Sequence, residues 1–151
     1  MNEQELKNFY LDKYESFEEL SKIIVSKIYN EMERLDCLNY LKMPITSRVK
    51  DFNSLVEKVI YRKKYTDPLK QISDLVGVRI VVLTYDELNK IVEILTTLFK
   101  EDVSIDRHYE KERSNQPYFF DYQSVHLVLR FKTFFSEELD LSNIPCEIQV
   151  R

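Results

Sequence analysis

Asp74-Leu75-Val76-Gly77-Val78-Arg79-Ile80-Val81-Val82-Leu83 is the stretch that decides the fold. Residues 78–83 are almost continuously apolar and rich in β-branched side chains, as in a central strand covered on both faces. Thr84-Tyr85-Asp86-Glu87 follows as a capping box, in which Thr and Glu satisfy each other's free backbone N–H groups at a helix start. Leu88, Ile91, Val92, Leu95, Leu98 and Phe99 then recur at helical spacing to about Lys100. A strand passing into such a helix implies a crossover back onto the sheet. Two residues depart from this pattern. Arg79 puts a charge into an apolar run, which is costly unless the charge is paired or put to use. Gly77, the single glycine of the chain, marks a sharp turn or a close approach of backbone to another group.

Upstream, Thr46-Ser47-Arg48-Val49-Lys50-Asp51-Phe52-Asn53-Ser54-Leu55-Val56-Glu57-Lys58 reads as a short strand running into a helix that extends to about Lys64. Arg48 and Lys50, two apart, project from one face of the strand. Ser54 and Lys58, four apart, share the side of the helix opposite Phe52, Leu55, Val56, Val59 and Ile60. Three cations and a hydroxyl thus meet at a helix start, where free N–H groups and the dipole favour anions. A solvated helix face accounts for the same residues; a polyphosphate site is the sharper reading.

The N-terminal segment reads as two helices. Residues 2–14 carry Leu6, Phe9 and Tyr10 on one side. Ser16-Phe17-Glu18-Glu19 then forms a second capping box, opening a helix to about Tyr40 with the stripe Phe17, Leu20, Ile24, Ile28, Met32, Leu35. Its expected role is to cover the sheet. Pro44 closes the linker that follows. Residues 69–75 suit a short helix, 102–109 a strand, and 110–121 a charged, aromatic-ended loop of the kind that carries ligand contacts.

The last third alternates cleanly. Tyr122, Ser124, His126, Val128 and Arg130 face one way, and Val125, Leu127, Leu129 and Phe131 the other. After a polar connection over 136–143, Pro145 introduces a strand with Glu147, Gln149 and Arg151 on one face and Cys146, Ile148 and Val150 on the other. A carboxylate, an amide and a guanidinium in a row suit a wet face or the floor of a site.

Bulk composition narrows the class. With 151 residues, 44% hydrophobic and 32% charged, the chain suits one globular domain with a sizeable core. A net charge of -4 excludes a general electrostatic nucleic-acid binder, so any such contact is a local patch; Lys22, Lys27 and Arg62-Lys63-Lys64 are the candidates. Cys37 and Cys146 lack CxxC spacing and read as free thiols of a reducing cytoplasm rather than a zinc site. The N-terminus is unlike a signal peptide. No apolar run approaches the roughly 20 residues of a membrane span. The expected location is cytoplasmic.

Taken in order, Arg48-x-Lys50-x3-Ser54-x3-Lys58, Asp74-x2-Gly77-x-Arg79, Tyr122-x-Ser124-x-His126 and Glu147-Ile148-Gln149-x-Arg151 resemble the synthetase domain of the RelA/SpoT family, across residues 44–151. Each motif alone is weak; the four at family spacing are specific. The resemblance implies an α+β fold, a nucleotidyltransferase-like mixed β-sheet flanked by helices; the N-terminal helices, residues 1–43, are expected from their apolar stripe to pack on it. It implies an enzyme moving the β,γ-pyrophosphate of ATP to the ribose 3′-hydroxyl of a guanosine nucleotide, with Mg²⁺ as cofactor. On that resemblance, Arg48 and Arg79 sandwich the adenine, and Lys50, Ser54 and Lys58 hold the phosphates. Asp74 binds the metal. Glu147 is a second metal carboxylate or the general base toward the 3′-hydroxyl. Tyr122 stacks on the acceptor base, His126 lies near its phosphates, and Gln149 and Arg151 support the site.

The sequence departs from the family on the acceptor side. Ordinary members carry Pro-Lys and then Gly-Tyr ahead of Ser-x-His; here Pro117 stands, but Tyr118 takes the lysine position and Asp121 the glycine position. Lys111, with Arg107 and Arg113, lies upstream to supply the missing cation. A second reading follows. Toxin relatives place the pyrophosphate on the 3′-terminal adenosine of tRNA, an acceptor without a 5′-polyphosphate, and an antitoxin would then be a partner. A third reading is an inactive nucleotide sensor. The family's C-terminal helices, often used to form oligomers, are not expected within these residues. No hydrolase-type His-Asp cluster is present, so alarmone breakdown is not expected.

Overall fold

The structure, a computed structural model, describes residues 1–62, 65–108 and 124–151, with 106–108 described by backbone alone. The helices are α1 (Glu3–Arg34), α2 (Phe52–Val56), α3 (Pro68–Gln71) and α4 (Tyr85–Leu98). The strands are β1 (Thr46–Val49), β2 (Val76–Ile80), β3 (Val103–His108), β4 (Val125–Leu129), β5 (Phe135–Ser136), β6 (Leu139–Asp140) and β7 (Cys146–Val150). The main sheet runs β1-β2-β7-β4-β3. Only β2 and β7 pair in parallel; the other neighbours are antiparallel. This is the mixed α+β sheet flanked by helices that the sequence led us to expect. Because β3 is antiparallel to β4 and β4 to β7, β3 runs in the same sense as β2. The helix α4 is therefore a true crossover, spanning from β2 to the far edge.

Alternation places the core on one face. Val76, Val78 and Ile80 of β2, Val125, Leu127 and Leu129 of β4, and Cys146, Ile148 and Val150 of β7 are all buried. Leu6, Tyr10, Phe17, Leu20, Ile24, Ile28 and Met32 of α1 join them in a single apolar cluster with Leu88, Ile91 and Leu95 of α4. Burying such residues is worth about 1.5–3 kcal/mol per large aliphatic side chain before conformational entropy is counted. The residues between them on β2 and β7 (Gly77, Arg79, Glu147 and Gln149) belong to the opposite face.

The structure corrects several boundaries. α1 is one helix, not two. Asn2 and Glu5 form its capping box, whereas Ser16 is buried in mid-helix. The apolar stripe continues unbroken past Ser16, and Tyr10 and Phe17 pack their rings 6.1 Å apart across the supposed break, so continuing the helix keeps both in the core. It ends at Arg34, where Asp36 takes φ 55°, instead of reaching residue 40. α2 passes into a π-helical turn, Glu57–Tyr61, that stops short of Lys64; Lys63 and Lys64 lie outside the described residues. α3 is Pro68–Gln71, beginning one residue before the expected 69–75 helix and ending four residues short of it. β2 is covered on one face only and ends at Ile80, leaving Leu83 exposed. The β5–β6 hairpin, starting at Phe135 and turning at Glu137 with φ 55°, takes up the first part of the polar connection over 136–143. Both cysteines are free and buried, and burial pushes each thiol up. Among the described residues no helix is long and apolar enough to cross a membrane.

Candidate active site

Sheet register assembles the polar face. Arg48 pairs with Gly77, and Gly77 with Glu147 on its other side. One step along, Thr46 pairs with Arg79, Arg79 with Gln149, and Gln149 with His126. These two rows carry residues from four separate motifs onto one surface. Arg48, Asp74, Gly77, Arg79, Glu147 and Gln149 line a cleft of about 220 Å³, with Thr46, Ser47 and Val78 completing its wall.

Gly77 sits in an extended strand, not at a turn, and its φ is not positive. A Cβ there would lie 3.7 Å from Cγ of Arg48, an ordinary contact. The glycine leaves a shallow place on the sheet over which the Arg48 side chain lies. Arg48 and Arg79 are diagonal neighbours on this face, a relation that sets their Cα atoms roughly 7–8 Å apart and their Cβ atoms somewhat closer. Both are exposed.

At one end of the cleft, Asp74 receives two ammonium groups. Lys50 Nζ lies 3.0 Å from one carboxylate oxygen and Lys58 Nζ 3.2 Å from the other. Burial pushes the Asp74 pKa up, but the hydrogen bond and charge of Lys50, then those of Lys58, more than offset it, and the net shift is downward. Burial pushes Lys58 down, and Asp74 and the Tyr65 hydroxyl return it above its ordinary value. The Lys58 ammonium also stands 5.9 Å from the Tyr65 ring centroid.

Across the cleft, Glu147 Oε1 accepts a hydrogen bond from Gln149 Nε2 at 2.9 Å and lies 3.3 Å from His126 Nδ1. The hydrogen bond from His126 is the largest influence and lowers the Glu147 pKa; burial opposes it, Gln149 adds to it, and the negative charge of Asp74 pushes back. The two carboxylates thus sense each other across the cleft. Arg151 continues the β7 ladder, its N–H donating to the Ile80 carbonyl at 2.9 Å.

The helix start is less open to an anion than the sequence suggested. Asp51 caps α2, accepting from the Ser54 N–H at 3.1 Å and also from the Ser54 hydroxyl. Ser54 therefore faces a carboxylate, and neither it, Lys50 nor Lys58 is among the residues lining the cleft. Tyr122, Lys111, Pro117, Tyr118 and Asp121 lie outside the described residues, as does the Arg107 side chain. Sequence reasoning missed Asp51 and Tyr10. Asp51 was legible as an Asp-x-x-Ser cap. Tyr10, whose hydroxyl donates to the Lys50 carbonyl at 2.9 Å across forty positions, left no local signal.

Residues 47–151 match the family described as "Region found in RelA / SpoT proteins". No curated protein matches the chain. Among solved structures it is similar to small alarmone synthetase 1 from Bacillus subtilis, at 19% identity and TM-score 0.68, covering 96% of this chain and 70% of that one. The same Bacillus protein bound to its product pppGpp aligns at 22% identity and TM-score 0.65, covering 98% and 73%. A GTP pyrophosphokinase family protein from Streptococcus pneumoniae aligns at 25% identity and TM-score 0.66, covering 97% and 69%.

Proposed function

Because this chain belongs to the RelA/SpoT family, we propose that it is an ATP pyrophosphokinase making an alarmone from a guanosine nucleotide. The observation that carries this reading is the pair Asp74 and Glu147 on one cleft, with two lysines on Asp74 and two guanidiniums over the adjoining strands. Transfer of this kind is mostly positioning and charge neutralisation, which such a set supplies.

In the proposed reaction the ribose 3′-oxygen of the acceptor attacks the β-phosphorus of ATP. A bond forms between them, the bond to the α-phosphate oxygen breaks, and AMP leaves. Glu147, ionised at neutral pH, accepts the hydroxyl proton. Arg48 and Arg79 hold the adenine between planar guanidiniums, which two long side chains at diagonal positions on one face can reach. Lys50 and Lys58 exchange Asp74 for the ATP phosphates, and Ser54 turns from Asp51 toward them. Mg²⁺ would suit this set: Asp74 and Glu147 line one cleft, and one or two carboxylates joined by phosphate oxygens are the donors this hard cation prefers. Asp74 and Glu147 would hold it, and its charge would neutralise the moving phosphates. Tyr122, His126, Lys111, Gln149 and Arg151 form the acceptor side of this reading.

Tyr118 and Asp121, in place of the usual lysine and glycine, favour a second acceptor, the 3′ end of tRNA, for which no 5′-polyphosphate needs a cation. Incubation with ATP labelled at the γ-phosphate, Mg²⁺ and, in parallel, GDP, GTP or bulk tRNA separates the two. Label on a guanosine nucleotide is the expected result, and label on tRNA replaces that acceptor. ATP binding without transfer to any acceptor leaves a sensor. Glu147→Gln should abolish transfer while sparing ATP binding; full activity in that variant removes Glu147 from the mechanism.

A further inference from the structure

Arg130 stands one residue beyond β4, on the strand that carries His126, and its half-buried guanidinium touches three main-chain carbonyls. Nη2 donates to the carbonyl of Lys70 at 3.0 Å and to that of Ile72; Nη1 donates to Asn143 at 3.5 Å. Lys70 and Ile72 lie four and two residues before Asp74. Asn143 lies four residues before Glu147. Among the described residues no carboxylate pairs with Arg130, so its charge is spent on backbone oxygens.

These are segments that regular structure does not hold. α3 is a single turn whose last carbonyls have no helical partners. From Ile72 to Leu75 the chain is in neither helix nor strand. Its far end is tied by the Lys50 N–H, which donates to the Leu75 carbonyl at 2.9 Å. Arg130 ties the near end. The same guanidinium reaches the approach to β7, so one side chain spans both routes to the cleft's carboxylates. A planar fork of five donors can do this; a lysine ammonium, a compact charge on a flexible stem, cannot reproduce the geometry.

We infer that Arg130 is a positioning residue that sets Asp74 relative to Glu147 by clamping the carbonyls of Lys70, Ile72 and Asn143. Arg130 does not line the cleft and acts through the backbone. The inference rests on the reading of Asp74 and Glu147 as the paired carboxylates of a pyrophosphokinase.

The test uses the whole chain with Arg130→Met and Arg130→Lys, the latter keeping the charge should the former fail to fold. Amide exchange of residues 72–76 should accelerate in both variants while that of α4 stays at the wild-type rate. Affinity for Mn²⁺, measured in the presence of a non-hydrolysable ATP analogue, should weaken about tenfold or more, as for other groups that orient metal ligands. The Mg²⁺ concentration for half-maximal rate should rise in parallel, with the acceptor KM little changed. A residue that merely stabilised the fold would lower the amplitude of the rate without moving the metal midpoint. Unchanged exchange at 72–76, or unchanged Mn²⁺ affinity, in a folded variant overturns the proposal. A wild-type protein that neither binds the Mn²⁺–analogue pair nor transfers label overturns the pyrophosphokinase reading instead. The exchange comparison then still decides whether Arg130 clamps the Asp74 segment.

Discussion

Asp74 is held by Lys50 at 3.0 Å and Lys58 at 3.2 Å, two ammonium charges on one carboxylate. Its pKa is lowered on folding, so it binds protons less readily in the folded than in the unfolded chain. Its contribution to stability is therefore complete above the unfolded value, about 3.9, and is lost as pH falls through the lower folded value. Denaturant midpoints of the metal-free wild type and Asp74→Asn should differ by a constant amount above about pH 4 and converge below it. A gap that persists unchanged into strong acid would mean that the lysines do not stabilise the ionised form. These side chains were legible in the sequence as types: Lys50 two residues after Arg48, Lys58 four after Ser54, and a carboxylate before a strand. Their pairing was not, because Lys50 and Asp74 are twenty-four positions apart and meet only when β1 pairs with β2.

At the scale of elements, α1 does more than cover the sheet. Tyr10 packs its ring 5.4 Å from that of Phe52 at the start of α2 and donates its hydroxyl to the Lys50 carbonyl. The N-terminal helix is thereby joined to the strand-to-helix junction that presents Lys50. Tyr10→Phe keeps the ring and removes the donor, so it should cost about 1 kcal/mol in denaturant unfolding, the usual net worth of one hydrogen bond. ATP binding should weaken alongside. Leu11→Ala, one residue on and exposed, should leave both unchanged; equal effects would mean that the hydrogen bond plays no special part. The helices show where local signals suffice. Thr84 and Glu87 cap α4 as the sequence indicated, because nothing competes with them there. Ser16 and Glu19 offer the same residue types, yet α1 runs through them, since the apolar stripe on either side packs on one continuous surface. Tertiary burial outweighs a capping preference of about 1 kcal/mol.

For the whole molecule, the division between core and cleft depends on β7, which pairs with β2 on one side and β4 on the other. Ile148 at its centre is fully buried, pairs with Val78 and Leu127, and is flanked in sequence by Glu147 and Gln149 on the opposite face. Ile148→Ala should destabilise by about 2–5 kcal/mol in urea unfolding, the range for emptying such a position. A much smaller loss would mean that the two helices close readily over the space. By itself the sequence determined most strands and the crossover helix, with the apolar side of each, because periods of two and 3.6 are properties of the local chain. It also carried the four family motifs in order, which covalent spacing preserves. Tertiary structure alone decided the strand order, and with it which residues stand side by side. Gly77 beside Arg48 and Glu147, Tyr10 on Lys50 and Arg130 across two loops all follow from it. Such contacts join segments far apart in sequence, and their free energy exists only once the apolar face has brought those segments together.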